Sequence, residues 1–150
     1  METGINHLHS LLRWVALIVI LVALAQSFKG MTRRLDYTAK HNRWSLITLI
    51  VFHLQLVLGL ALYFLRGWYN QLGEMSNAVA RYWSLEHLVG MLIAIALVTV
   101  GRINTKKAIN GPMKHKRQFW FFLIALIIVL LNMPWPFREL GIARPWLPGM

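Results

Sequence analysis

Six histidines and no cysteine restrict any metal chemistry of this chain mainly to imidazole. Two histidines stand out by their surroundings. His9 lies in N-H-L-H-S-L-L-R-W near the start of the chain, and His87 lies in R-Y-W-S-L-E-H-L-V-G-M in its second half, each where an apolar stretch begins. At 3.6 residues per turn, His9 shares a helix stripe with Leu12, Arg13, Ala16, Ile20 and Ala23, and His87 shares one with Gly90, Met91, Ala94, Val98 and Gly101. Small residues beside each imidazole leave room for a flat macrocycle between two helices. Axial ligation of a haem iron needs two imidazoles, one on each face. Without cysteine, disulfides, iron–sulfur clusters, thiolate zinc sites and covalent C-x-x-C-H haem attachment are all excluded, so the expectation is a non-covalent haem with His9 and His87 as its axial ligands. The alternative is that both histidines merely bond neighbouring backbone or carboxylate at a helix interface.

Other charged and imidazole groups refine this expectation. Arg13, one turn inward of His9, can hold a haem propionate in bidentate fashion or snorkel to the outer headgroups. Glu86 is rotated about 100° from His87, which leaves it to pair with Arg13 or Arg81, or to accept protons near a quinone head. His53 lies about 16–20 Å inside its helix and His87 about 6–9 Å, a mismatch of about 10 Å on straight helices that a longer third helix would narrow. His53 is therefore a ligand in another pairing or a second centre, a quinone or proton-relay contact, or a hydrogen bond to another helix near Gln55. His7 is rotated to the far side of its helix, and a copper site from His7, His9 and His87 with Met75 or Met91 ranks lowest. His41 and His115 fall in basic connections and are expected to be solvated, with His115 facing lipid phosphate.

The elements that must position these groups are legible in the apolar pattern. The 150 residues are 57% hydrophobic with a mean hydropathy of +0.52, too apolar for an ordinary soluble domain and long enough for one domain. Four apolar blocks, residues 11–28, 44–65, 83–101 and 119–133, approach the ~20 residues a helix needs to cross a bilayer. The fourth is short and is expected to start near Lys116. Gly30 is a plausible helix stop, Gly111-Pro112 a turn, and residues 67–80 a loop or short interfacial helix. From Pro134 onward the prolines forbid a helix, and Trp135 and Trp146 suit headgroup level. Ala16, Ala23, Gly59, Gly90, Ala94 and Gly101 supply small residues for helix contacts. The expected fold is an all-α integral membrane four-helix up-down bundle formed by residues 1–150 as one domain.

Charge orients the bundle. The formal net charge is +11, but eleven of the sixteen Lys and Arg residues fall in segments 29–43 and 102–117, and only four in segments 66–81 and the tail. The positive-inside rule makes the eleven-charge side cytoplasmic and puts both termini outside. Such basic surfaces face anionic membrane lipids, and no nucleic acid is expected as a partner. Ala23-Leu24-Ala25 mimics a signal cleavage site, yet residues 1–12 contain no Lys or Arg and a basic run follows at 29–34, so the first span is expected to be retained.

The segment from Arg81 through Glu86-His87-Leu88-Val89-Gly90-Met91 to Arg102 resembles a family of small bacterial four-helix membrane proteins labelled cytochrome b or cytochrome b561-like. His7-Leu8-His9-Ser10-Leu11-Leu12-Arg13, His53-Leu54-Gln55-Leu56-Val57-Leu58-Gly59 and Lys114-His115-Lys116-Arg117 are similar to the same family, and the resemblance covers most of the chain up to Trp135. It implies haem b as cofactor, with His9, His53 and His87 at the positions of the family's membrane histidines. The wider pattern often carries two histidine pairs, whereas the fourth block here contains no histidine.

These readings converge on a haem b-binding electron-transfer protein or respiratory accessory subunit of the bacterial inner membrane. It would be linked to quinol, and would work as a homodimer or with partner membrane subunits. The chain shows no nucleophile elbow, nucleotide loop or soluble catalytic domain, so it is expected to be at most a redox subunit. The competing expectation is a haem-free structural or assembly subunit whose histidines only join helices. Trp68, Tyr69, Trp135 and Trp146 are the expected docking residues on the outer side.

Overall fold

The computed structural model describes residues 2–147, and these form an all-helical bundle with no strand among them. Helix α1 spans Glu2–Thr32 and α2 spans Ala39–Leu65. A single 3-10 turn, Trp68–Gln71, follows. Helix α3 runs through Ala78–Lys106 and contains a π-helical turn at Tyr82–Glu86. Helix α4 is Gly111–Asn132. All four are long and apolar enough to cross a membrane. Short connections make successive helices antiparallel neighbours, and α1 also packs on α4, which closes the bundle.

The core is narrow because small residues let the backbones approach. Ala16, Ala23, Ala94 and Ala125 are buried along the axis with Ile20, Val98 and Phe122. A Cβ on Gly101 would overlap Phe121, so glycine is what allows α3 to lie against α4 there. The outward faces are equally apolar: Ile18, Leu21, Val57, Phe64 and Leu131 are all exposed. A helix hydrophobic all round suits lipid on one side and protein on the other.

Several boundaries differ from those expected. Helix α1 begins nine residues before its apolar block and continues past Gly30, because the polar first turns extend the helix beyond the hydrocarbon-sized segment. Gly30 instead makes a notch for the ring of His115, which a Cβ would overlap. Gly111-Pro112 opens α4 rather than forming a loop. Asn110 caps that helix by accepting from the Met113 N–H at 3.0 Å, and Pro112 occupies a position where no N–H is needed. Helix α3 starts at Ala78, where the Asn77 side chain accepts from the backbone N–H groups of Val79 and Ala80.

The expected solvation of His115 is overturned, while His41 is half-exposed. His115 is fully buried, with Nε2 3.3 Å from the Asp36 carbonyl oxygen, and its ring lies 4.6 Å from that of His41 and 5.0 Å from that of Tyr37. His41 closes the first turn of α2 by accepting the Thr38 N–H on Nδ1 at 3.0 Å. The flanking Lys114 and Lys116 conceal that position 115 lies on the buried stripe shared with Gln118 and Phe122.

The segment after α4 is non-helical, as its prolines require, and it folds back across the end of the bundle where α1 begins, the outer end in the orientation that the basic residues predict. Residues 148–150 of that tail lie outside the described residues. Trp146 stacks on Trp14 at 5.8 Å, and its carbonyl oxygen accepts the Trp14 Nε1–H at 2.7 Å.

Candidate functional site

A cleft runs into the outer half of the bundle between all four helices and the returning tail. His9, Arg13 and Ala16 of α1 line it, with Gln55, Gly59, Tyr63 and Arg66 of α2 and its C-cap. Trp83, His87, Met91 and Ala94 contribute from α3, and Met133 and Arg144 from beyond α4. It encloses about 130 Å³ and continues into an open mouth. A planar ligand larger than the enclosed part would occupy the mouth as well.

The local structure around His87 follows from the sequence. An α-helical carbonyl at position i is satisfied by the N–H of residue i+4. The last four carbonyls of a helix lack that partner: Pro134 has no N–H to offer Leu130, and Asn132 is the last residue of α4, with Met133 already extended. The orphaned Leu130 carbonyl accepts the Trp135 Nε1–H at 2.8 Å. The orphaned Asn132 carbonyl accepts two side chains, the Tyr82 hydroxyl at 2.7 Å and His87 Nδ1 at 2.9 Å. A carbonyl can only accept, so Nδ1 carries the proton and Nε2 carries the free lone pair. Metal-bound histidines are held in this way, with the second ring nitrogen donating to a carbonyl or carboxylate.

His9 reaches the same cleft from α1. Its ring packs over Gly59, where a Cβ would stand 3.2 Å from Cε1, so the small residue on α2 is what leaves space for the imidazole. Nδ1 of His9 is buried without any hydrogen-bond partner. The Gln55 amide donates to the His9 carbonyl oxygen at 3.0 Å and ties this turn of α1 to α2.

The outer mouth is positive. Arg13, Arg66 and Arg144 all line the cleft. Only Arg66 has a carboxylate partner among the described residues, Glu2 at 2.9 Å; the other ion pair, Arg81 with Glu86 at 2.7 Å, lies outside the cleft. Arg13 donates to the Pro145 carbonyl oxygen at 3.1 Å, while its Nε is buried without a partner. Arg144 lies over the Trp83 ring at 4.4 Å, and burial together with the neighbouring Arg66 pulls its pKa down. This donor set suits a ligand with an apolar body, a metal open to imidazole, and carboxylates at its outer end. Haem b has that composition, and the unpartnered Arg13 Nε and His9 Nδ1 mark places where the protein alone leaves polar atoms unsatisfied.

The structure brings His9, His87 and Arg13 together and leaves His53 out. The longer α3 puts His87 nine positions after Ala78, and His53 stands twelve positions before Leu65, so the depth mismatch shrinks to about 5 Å. Rotation, not depth, separates them: His53 faces the exterior and Nδ1 bonds the Leu49 carbonyl oxygen of its own helix at 2.8 Å. The expected bond from His53 to another helix is absent among its described contacts. His7 is also exposed and does not line the cleft with His9 and His87, and no cluster of three or more His, Asp or Glu side chains suited to a metal occurs among the described residues. Of the options for Glu86, the pair with Arg81 is the one formed. Sequence reasoning missed Arg66, Arg144 and Tyr82 as parts of the site. The first two were counted only as outer-side charge, and Tyr82 enters through the π-helical turn.

Comparison with protein families, with curated proteins and with solved structures gives no match.

Proposed function

We propose that this chain is a haem b-binding integral membrane electron carrier related to the cytochrome b561-like proteins. The observation that supports it is the convergence of two imidazoles from different helices on one apolar cleft with three arginines at its mouth. In this reading His9 and His87 would hold the haem iron, and Arg13 and Arg144 would hold the propionates, with Arg66 beside them. When bound, haem b supplies a one-electron couple. The chain's own residues do the rest. The Asn132 carbonyl fixes the tautomer and direction of His87, Gly59 leaves the room His9 needs, and Trp83 and Met91 keep the interior apolar.

The uneven distribution of basic residues supports a bacterial inner-membrane location with both termini outside, which puts the cleft on the periplasmic side. A centre confined to that half does not by itself carry electrons across ~30 Å of hydrocarbon. Quinol as donor and a second copy or partner subunit as acceptor complete the proposal, with Trp68 and Tyr69 on the outer face for docking. The test is the visible spectrum of protein purified after expression with ample haem. A low-spin b-type spectrum that sharpens on reduction, with one haem per chain, is expected. Colourless protein overturns the reading. It would leave the haem-free assembly role, which the His87 link between α3 and α4 favours. Reporter fusions after Met150 check the orientation: an active periplasmic reporter is expected, and a bright cytoplasmic one reverses it.

A further inference from the structure

Tyr82 is fully buried and spends its hydroxyl on an acceptor that His87 also uses. In a regular α-helix, residues five apart point about 140° away from each other. The π-helical turn Tyr82–Glu86 removes that divergence, since the His87 N–H bonds the Tyr82 carbonyl oxygen in an i to i+5 step. Both side chains therefore meet the Asn132 carbonyl. Tyr82 Oη and His87 Nδ1 are 3.5 Å apart, too far to bond each other well, so they compete for one oxygen. That oxygen is available because the helix ends at Asn132 and Met133 is extended, so no backbone N–H follows to take it. Arg138 lies 5.1 Å from the Tyr82 ring centroid, a cation placed to strengthen the hydroxyl as a donor.

We propose that Tyr82 is a positioning residue that sets the basicity of His87 Nε2, by drawing on the carbonyl to which His87 Nδ1 donates. A carbonyl that accepts a strong hydroxyl bond has less electron density to offer the Nδ1–H. The weaker that second bond, the less negative charge the imidazole passes to whatever Nε2 binds. Removing the hydroxyl strengthens the Nδ1–H bond and makes Nε2 a better donor; making the hydroxyl more acidic does the reverse. The redox consequence rests on the haem reading above, whereas the hydrogen-bond consequence does not.

Two variants and two readouts test it on the full chain in detergent. Tyr82→Phe keeps the ring and removes the hydroxyl. Site-specific 3-fluorotyrosine at position 82 keeps the hydroxyl and makes it a stronger donor, so it remains informative if the phenylalanine variant folds poorly. In haem-free protein with labelled histidine, the His87 Nδ1–H resonance, assigned by its loss in His87→Ala, moves downfield in Tyr82→Phe and upfield with fluorotyrosine. In haem-loaded protein the reduction equilibrium shifts toward the ferric form in Tyr82→Phe by roughly tenfold, the low end of effects from groups behind a ligand, or ~59 mV for one electron. Fluorotyrosine shifts it the other way. A purely structural Tyr82 would lower the unfolding temperature without producing opposite signs. An Nδ1–H resonance that is unmoved, or moves the same way in both variants, overturns the proposal whether or not the protein binds haem. Colourless protein sinks the haem reading and leaves the resonance to decide the role of Tyr82.

Discussion

The two ends of the bundle each hold a pair of histidines beside basic residues, and they are built in opposite ways. At the inner end His41 and His115 pack edge to face, Gly30 admits the His115 ring with nothing to spare, and Tyr37 covers the pair while its hydroxyl bonds Gln118. Gln118 passes a further bond of 2.7 Å to Ser27, which links Tyr37, Gln118 and Ser27 in one chain, while His115 Nδ1 and Ser45 Oγ are buried there without a partner. At the outer end His9 and His87 come from α1 and α3, and the space between the helices is left open, lined by apolar residues and rimmed by arginines. Burial alone does not make a ligand site. An imidazole becomes available when a glycine or alanine opposite it is not matched by a side chain that fills the gap, and when its other nitrogen is already committed. His87 meets both conditions, His9 meets the first while its Nδ1 has no partner, and His115 fails the first.

Substitutions can break this contrast. His87→Ala is expected to abolish the low-spin haem spectrum and His9→Ala to convert it to high spin or lose it, while His41→Ala and His115→Ala leave the absorption bands in place. Spectra of the four variants at equal protein concentration check this, and a loss of haem confined to the inner-end variants would transfer the site. Gly30→Ala forces a methyl into the His115 ring. Overpacking of this kind costs about 1–3 kcal/mol, so a lower thermal unfolding midpoint with an unchanged spectrum is expected. Arg13→Gln or Arg144→Gln removes one cation from the mouth. Hydrogen bonds to charged groups contribute ~1.5–3 kcal/mol, and exposure at the mouth screens part of that. Haem titration of the apoprotein should show affinity weakened by about tenfold for each, and equal affinity would separate the arginines from the ligand. The smallest effect is expected for His53→Ala. The side chain faces outward and bonds only its own helix, so stability should change by less than ~0.5 kcal/mol with one haem per chain retained. Loss of a second haem in that variant would make His53 a ligand after all.

The helix count, the bundle and the shared stripe positions of His9 and His87 were legible in the sequence, because apolar periodicity and span length are local properties that lipid enforces on each segment separately. The end of α4 just before Pro134 was also written there, and with it a free carbonyl at Asn132, although that acceptor acquires meaning only once Tyr82 and His87 are seen to reach it. Depth along a helix follows from residue counting only when the helix ends are known. The first turns of α1 and α3 lie outside the apolar blocks, so the boundaries at Glu2 and Ala78 were not readable from hydropathy. Direction around a helix was harder still. The outward turn of His53, the burial of His115 between flanking lysines and the inward swing of Tyr82 depend on which face each helix presents to three others and on a five-residue π-helical turn. In a chain apolar on all sides, composition does not distinguish the face that meets lipid from the face that meets protein. Only the packing of small residues against large ones in the folded bundle decides it.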